Sequence, residues 1–290
     1  MTFAVVTGVG VQGIGLEVVA GLRGAGCHVV MGCRSHERCS AAKELLDARG
    51  LPGSCECRSL DLNDFASIRR FAAELEGSPS LLVNNAGVMG VVAQHGTCSH
   101  WRPNALGPYL LTRLLLPRMA ARARIVTVAS EAHRRGSLHI SSDGEGRRLK
   151  DGGGAGGWYA QYARSKLANV LMTAELSRRL EQRGSTVTCS SVSPGRVNTG
   201  IYSNVPGWLR TPLRWLAAAA FQTPAQGAST VLHAAMSPEL GRHELYLHAM
   251  RPCRASPAAY DAKLAGELWQ LSNQQVGLSA AEDAALWPPH

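Results

Sequence analysis

The chain has 290 residues, 45% of them hydrophobic, and a formal net charge of +9, enough apolar material for one large core or two small ones. No low-complexity run, charge block or internal repeat points to a disordered tail or a solenoid, and no apolar run reaches the roughly 18 residues that a membrane-spanning helix needs. The basic pairs Arg69-Arg70, Arg134-Arg135, Arg147-Arg148 and Arg178-Arg179 are scattered without interleaved aromatics, which argues against a nucleic-acid partner and leaves solvated faces, an anionic cofactor or peripheral contact with an acidic membrane.

A strand begins almost directly after Met1, so the expectation is a soluble cytoplasmic protein with no targeting segment. The cysteines Cys27, Cys33, Cys39, Cys55, Cys57, Cys98, Cys189 and Cys253 include no C-x-x-C pair. They are expected to be free thiols in a reducing compartment, packed as small hydrophobes, with neither a metal site nor a disulfide framework. Strand-like and helix-like segments alternate to about Leu247, the pattern of one α/β domain over 1–290 with a parallel sheet flanked by helices.

The first strand, Phe3 to Val6, runs into Thr7-Gly8-Val9-Gly10-Val11-Gln12-Gly13-Ile14-Gly15, and a helix opens near Leu16. Glycines between a strand and a helix allow a tight turn and let a pyrophosphate approach the helix N-terminus. A second strand over 27–32 ends in Cys33-Arg34, with Arg38 one helical turn later. An acidic residue near there would hold the ribose 2′-hydroxyl of NADH; a guanidinium pairs instead with a 2′-phosphate, favouring NADP(H) over the plain reading of an exposed arginine. The third strand, 56–60, delivers Asp61-Leu62. Asp61 reads either as the cap of the next helix or as an adenine contact.

The fourth strand, 81–83, ends in Asn84-Asn85-Ala86-Gly87, a turn suited to side-chain hydrogen bonds beside a cofactor ribose. The following helix carries Asn104, but Pro103 precedes it, so the helix is expected to start late or bend. The fifth strand, 124–128, delivers Ser130. Glycines 152–154 and 156–157 read as a mobile linker at the substrate mouth. A helix over about 158–179 then sets Tyr162 and Lys166 one turn apart on one face, where an ammonium would draw a phenol down from its usual pKa of about 10. The sixth strand, 186–192, ends in Ser193-Pro194-Gly195-Arg196-Val197-Asn198-Thr199. After it, 201–221 carry Trp208, Arg210, Arg214, Trp215 and four consecutive alanines, readable as a substrate lid, a core helix or a face resting on a bilayer.

The ordered set of the glycine-rich turn, Asn84-Asn85-Ala86-Gly87, Asn104, Ser130, Tyr162/Lys166 and Pro194-Gly195 resembles the short-chain dehydrogenase/reductase superfamily over nearly the whole chain. Cys33-Arg34, Ser130-Glu131-Ala132-His133, Ser165 to Leu171 and the tail from Ser256 through Leu268-Trp269 to Leu278 are similar to the branch of retinol dehydrogenases and related lipid or xenobiotic carbonyl reductases. The resemblance implies a single Rossmann-type, doubly wound parallel sheet, a small helical lid at 201–221 and a C-terminal extension over 250–290. It implies an NADP(H)-dependent carbonyl reductase or alcohol dehydrogenase acting on a small apolar substrate. Tyr162 would be the general acid/base, Lys166 its ribose-holding partner, Ser130 the group positioning the substrate oxygen, and Asn104 the support of a proton-return path. Cofactor contacts would come from Gly8, Gly13, Ile14, Gly15, Arg34, Asp61, Leu62, Asn85, Ala86, Gly87, Tyr162, Lys166, Pro194, Gly195, Val197 and Thr199, with no metal. Relatives often pair through the long helices, so a homodimer is one assembly the resemblance admits.

Two departures stand out. The family turn places three residues between Thr-Gly and Gly-Ile-Gly, whereas Val9, Gly10, Val11 and Gln12 stand here; the extra residue would bulge, with Gly10 absorbing the turn, or push backbone into the phosphate site. The acidic motif before Asn104 is replaced by His95-Gly96-Thr97-Cys98-Ser99-His100-Trp101. A binding module that senses NADP(H) with little turnover is therefore the alternative, and a light-dependent pigment reductase of the protochlorophyllide type a third reading.

Overall fold

Runs such as Ala4-Val5-Val6 and Val29-Val30-Met31 are apolar without alternation, which suits strands covered on both faces. The computed structural model describes residues 2–90, 100–143, 146–150, 157–197, 221–241 and 245–287. Its strands are β1 (Phe3–Thr7), β2 (His28–Cys33), β3 (Ser54–Ser59), β4 (Leu81–Asn84), β5 (Arg124–Val128), β6 (Ile140–Asp143), β7 (Gly146–Leu149), β8 (Thr188–Ser193), β9 (Tyr246–His248) and β10 (Arg251–Pro252). The main sheet has the order β3-β2-β1-β4-β5-β8-β9-β10. All neighbours in it are parallel except β9 and β10. Strand order reverses between β1 and β4, so a crevice opens at the carboxyl ends of these strands. The Rossmann-type, doubly wound parallel sheet expected from the sequence is thus present, with boundaries moved by one or two residues. The β6–β7 hairpin and the short β10 were not anticipated; at four and two residues they carry no usable period.

The helices are α1 (Ile14–Gly24), α2 (His36–Asp47), α3 (Phe65–Glu74), α4 (Gly107–Leu115), α5 (Gly157–Gln182), α6 (Pro224–Met236), α7 (Ala262–Val276) and α8 (Ala280–Ala285). One core packs α1, α2 and α6 against the sheet through residues such as Leu22, Leu46 and Val231. The other packs α3, α4, α5 and α7 through Phe71, Leu110, Leu171 and Trp269.

One expectation is corrected by the packing. Cys39 of α2 and Cys57 of β3 form a disulfide with Cα atoms 5.9 Å apart, because α2 lies across the sheet with Cys39 on its buried face. Cys27, Cys33, Cys55 and Cys189 are buried free thiols as expected, Cys253 is free but exposed, and Cys98 lies outside the described residues. Arg23, Arg113 and Arg164, none of them in the basic pairs, are buried.

Arg113 ties the C-terminal segment to α4. Its guanidinium lies 5.0 Å from the Trp269 ring and 4.5 Å from that of Trp287 and pairs with the Asp283 carboxylate. Tyr109 meets Trp269 edge-on at 5.0 Å and donates its hydroxyl to Asn273 Oδ1. Replacing Arg113 by Ala strands a partly buried carboxylate and empties the space between two indoles. The expected loss is about 3–5 kcal/mol, the range for breaking a buried pair, read as a lowered midpoint in urea unfolding.

Candidate active site

At the crevice, the glycine-rich turn and the Asn84-Asn85-Ala86-Gly87 turn are built against each other. Asn85 Nδ2 donates to Thr7 O at 2.9 Å and Gly8 O at 3.2 Å, and Ala86 N donates to Thr7 Oγ1 at 3.1 Å. A Cβ on Gly8 would stand 2.6 Å from Ala86 Cα, and one on Gly15 would stand 2.7 Å from Asn85 Nδ2. The turn bends at Gly8 (φ 73°) and at Gly13 (φ 108°), the residue that caps α1. Gly10, the residue that would absorb the turn in one of the two alternatives, has no positive φ. The extra length is spent on Val11 and Gln12, which are exposed, while Val9 packs inward.

These turns line a cleft of about 390 Å³, within the size range of small-molecule sites. Gly8, Gly13, Ile14, Gly15, Arg34, Asp61, Leu62, Asn85, Ala86 and Gly87 all border it, so ten of the expected cofactor residues meet in one place. Arg34 and Arg38 are exposed at its β2 end, and neither has an acidic partner among the described residues. Asp61 is not the helix cap. Asp64 caps α3 by accepting from Ala66 N, whereas Asp61 Oδ1 accepts from Asn63 N at 2.9 Å and the residue borders the cleft. The cap reading failed because either aspartate precedes an apolar helix at a plausible spacing.

Asn104 sits in a π-helical turn, Arg102–Leu106, that leads into α4. The bend expected from Pro103 is realised as this turn, a feature frequent at functional sites. The buried Asn104 side chain accepts from Val88 N at 2.8 Å and donates to Val88 O at 2.9 Å and Ser165 Oγ at 3.1 Å. Ser165 in turn donates to Tyr162 O at 2.7 Å. Thus Asn104 braces the chain just past Gly87 and ties it to α5. The sequence flagged Ser165 as a family feature without a role; its place beside Lys166 was the available signal.

Tyr162 and Lys166 lie on the buried face of α5, with Lys166 Nζ 5.8 Å from the Tyr162 ring centroid. Lys166 Nζ donates to Val128 O at 2.8 Å, at the end of β5. A Cβ on Gly87 would stand 3.2 Å from that nitrogen, so the ammonium borders the second turn. Burial pushes Lys166 down to about 8, because the charged form loses hydration. Tyr162 packs among Met89, Ala132 and Ala163, with Trp158 alongside, and its ring meets His100 edge-on at 6.2 Å. Tyr159, by contrast, is exposed.

Ser130 follows β5 and caps a short 3₁₀ turn, Glu131–Arg135, accepting from Ala132 N at 3.2 Å. The same turn brings Ala132 onto Tyr162. Past β8, Gly195 has φ 84°, and Val197 bridges Gln222. Val197 and Ile14 both reach Gly227 of α6, where an added Cβ would stand 2.5 and 3.3 Å from their side chains, so the glycine-rich turn and the segment after β8 meet there. Thr199, the expected lid over 201–221 apart from Phe221, the glycines at 152–154 and 156, and His95 to Ser99 lie outside the described residues. Among the described residues no helix is long and apolar enough to cross a membrane.

A family model described as short chain dehydrogenase matches residues 2–142. Over 304 positions the chain is 40% identical to dehydrogenase/reductase SDR family member 13 of Bos taurus, covering 97% of this chain and 74% of that protein. The chain belongs to the short-chain dehydrogenase family. Retinol dehydrogenase 14 of Homo sapiens is 33% identical, with 92% of this chain and 84% of the relative covered, which sets the chain on the retinol dehydrogenase-like branch. Among solved structures, an uncharacterised protein from Mycobacterium paratuberculosis superposes with a TM-score of 0.73 at 31% identity, covering 96% of this chain and 94% of the other. This short-chain dehydrogenase is accordingly an oxidoreductase of the alcohol/carbonyl class, in a family that binds NAD(P).

Proposed function

We propose that this chain is an NADP(H)-dependent oxidoreductase that interconverts an alcohol and a carbonyl on an apolar substrate of retinoid, steroid, lipid or xenobiotic type. The observation that carries this reading is the pairing of Tyr162 with a wholly enclosed Lys166, whose ammonium abuts Gly87 at the edge of the cleft. Burying a lysine ammonium is costly and one hydrogen bond to Val128 O offsets it only in part, whereas a cation beside an acid/base phenol stabilises its ionised form.

In this reading Tyr162 gives its hydroxyl proton to the substrate oxygen during reduction and takes it back during oxidation. Ser130 Oγ donates to the same oxygen and fixes its place. Lys166 stabilises the phenolate and holds the ribose nearest the reacting end. Asn104, with its side chain committed to Val88 and Ser165, supports the proton path by bracing its walls. When bound, NADP(H) supplies or accepts the hydride. The turns at Gly8, Gly13, Ile14, Gly15, Asn85, Ala86 and Gly87 would hold it, with Asp61 and Leu62 at the adenine end and Pro194, Gly195, Val197 and Thr199 at the other. The apolar wall of Met89, Ala132 and Trp158 around Tyr162 supports an apolar substrate, as does the retinol in the relative's name.

Arg34 and Arg38 are assigned to the 2′-phosphate. A fluorescence titration should show NADPH binding at least about tenfold more tightly than NADH. The double substitution Arg34→Ala/Arg38→Ala should cost NADPH about 10- to 100-fold, the worth of one or two charge-assisted hydrogen bonds, and leave NADH nearly unchanged. Equal losses for both cofactors, or a wild-type preference for NADH, would remove the assignment.

A further inference from the structure

His133 is fully buried, and both of its ring nitrogens are engaged. Nδ1 lies 2.7 Å from Ser130 O, and Nε2 lies 3.0 Å from Ser256 N. A main-chain N–H can only donate, so Nε2 is the acceptor; a carbonyl can only accept, so Nδ1 carries the proton. The ring is therefore the neutral Nδ1–H tautomer, and burial, by pushing its pKa down, keeps it neutral.

The surrounding contacts give this ring a consequence. Three side chains of the turn that follows Ser130 reach the chain between 246 and 256. Glu131 Oε1 accepts from the Tyr246 hydroxyl, Arg134 donates to Arg254 O at 2.7 Å, and the His133 ring packs 4.8 Å from that of Tyr246. On its other side the turn packs Ala132 against Tyr162. The imidazole is the one of the three whose polar contacts join Ser130 itself to the tail.

We propose that His133 is a positioning residue for Ser130: its neutral ring ties the serine's carbonyl to the backbone of Ser256 and thereby sets where the serine hydroxyl stands relative to Tyr162. The proposal rests on the reading of Ser130 as the group that holds the substrate oxygen. It assigns the distant segment around Ser256, 123 positions along the chain, a part in catalysis through hydrogen bonding alone.

The test uses the full chain with a retinoid aldehyde and NADPH. His133→Ala should lower kcat roughly 10- to 100-fold, the scale of a displacement of about 1 Å in a reacting group. KM and the NADPH dissociation constant should stay within about threefold. His133→Asn keeps a donor near the position of Nδ1 and should recover much of the lost kcat. Ser256→Pro removes the other partner's N–H at a φ of −63° that proline adopts, and should lower kcat without touching the turn. The deciding readout is the cycle with Ser130→Ala: if His133 acts through the serine, His133→Ala should cost almost nothing further in the Ser130→Ala background. Additive losses, a parallel loss of NADPH binding, or wild-type kcat in His133→Ala would overturn the proposal. Full turnover in Ser130→Ala alone would instead overturn the underlying reading of Ser130, and this proposal with it.

Discussion

Tyr162→Phe is expected to lower turnover by about a thousandfold, within the range of a lost general acid/base, while NADPH affinity changes by less than about twofold. The substitution removes one oxygen and keeps the ring. The ring's neighbours Met89, Ala132 and Ala163 are apolar and keep their contacts, as does the edge-on His100. The backbone carbonyl that accepts from Ser165 is also untouched, so the link from α5 to Asn104 persists. Binding and stability should therefore report an intact cleft while the chemistry fails. Steady-state rates with a retinoid aldehyde, paired with a fluorescence titration on the same preparation, separate the two. Retention of more than about a tenth of wild-type turnover would take the acid/base role away from Tyr162.

What the sequence showed and what it hid divide along a physical line. Features set by the backbone within a few residues were readable: the buried strands, a tight glycine turn between β1 and α1 (though bent at Gly8 and Gly13 rather than Gly10), the distortion that Pro103 imposes around Asn104, and the one-turn spacing of Tyr162 and Lys166. Such features depend on sterics and helical period, both local. The identity of a cap was less secure, since Asp61 and Asp64 differ only in which one faces the first free N–H of α3. Contacts made by packing were not readable. Cys39 and Cys57 are 18 positions apart, and their meeting depends on how α2 crosses the sheet. The Arg113–Asp283 pair and the His133–Ser256 bond span 170 and 123 positions. No periodicity in either segment announces its partner. For His133 there was a hint: a histidine three residues after the candidate serine, at the end of a strand, is placed to bond back to that serine's carbonyl.

The second large effect should come from Gly8→Val. Gly8 has φ 73°, a region that a β-branched residue enters only with strain. The new Cβ would also stand 2.6 Å from Ala86 Cα and 2.7 Å from Ala86 Cβ. Because the obstacle includes backbone, no rotamer change relieves it; either the glycine-rich turn or the Asn84-Asn85-Ala86-Gly87 turn must move. Gly8 N is held by Gly32 O at 3.0 Å, and Gly8 O accepts from Asn85 Nδ2, so moving Gly8 also loosens the end of β2 next to Arg34. Both walls of the cleft are displaced together. NADPH affinity should fall at least about 100-fold, equivalent to roughly 2.7 kcal/mol, with a lowered melting temperature but a folded protein at low temperature. Gly10→Ala is the matched comparison. An added Cβ there meets nothing within 4 Å, and its backbone needs no glycine, so NADPH affinity should change by less than about threefold. If the two substitutions weakened binding alike, the extra residue between Gly8 and Gly13 would itself be shaping the phosphate site. If Gly8→Val bound NADPH normally, the close approach of the two turns would not be what forms the cleft.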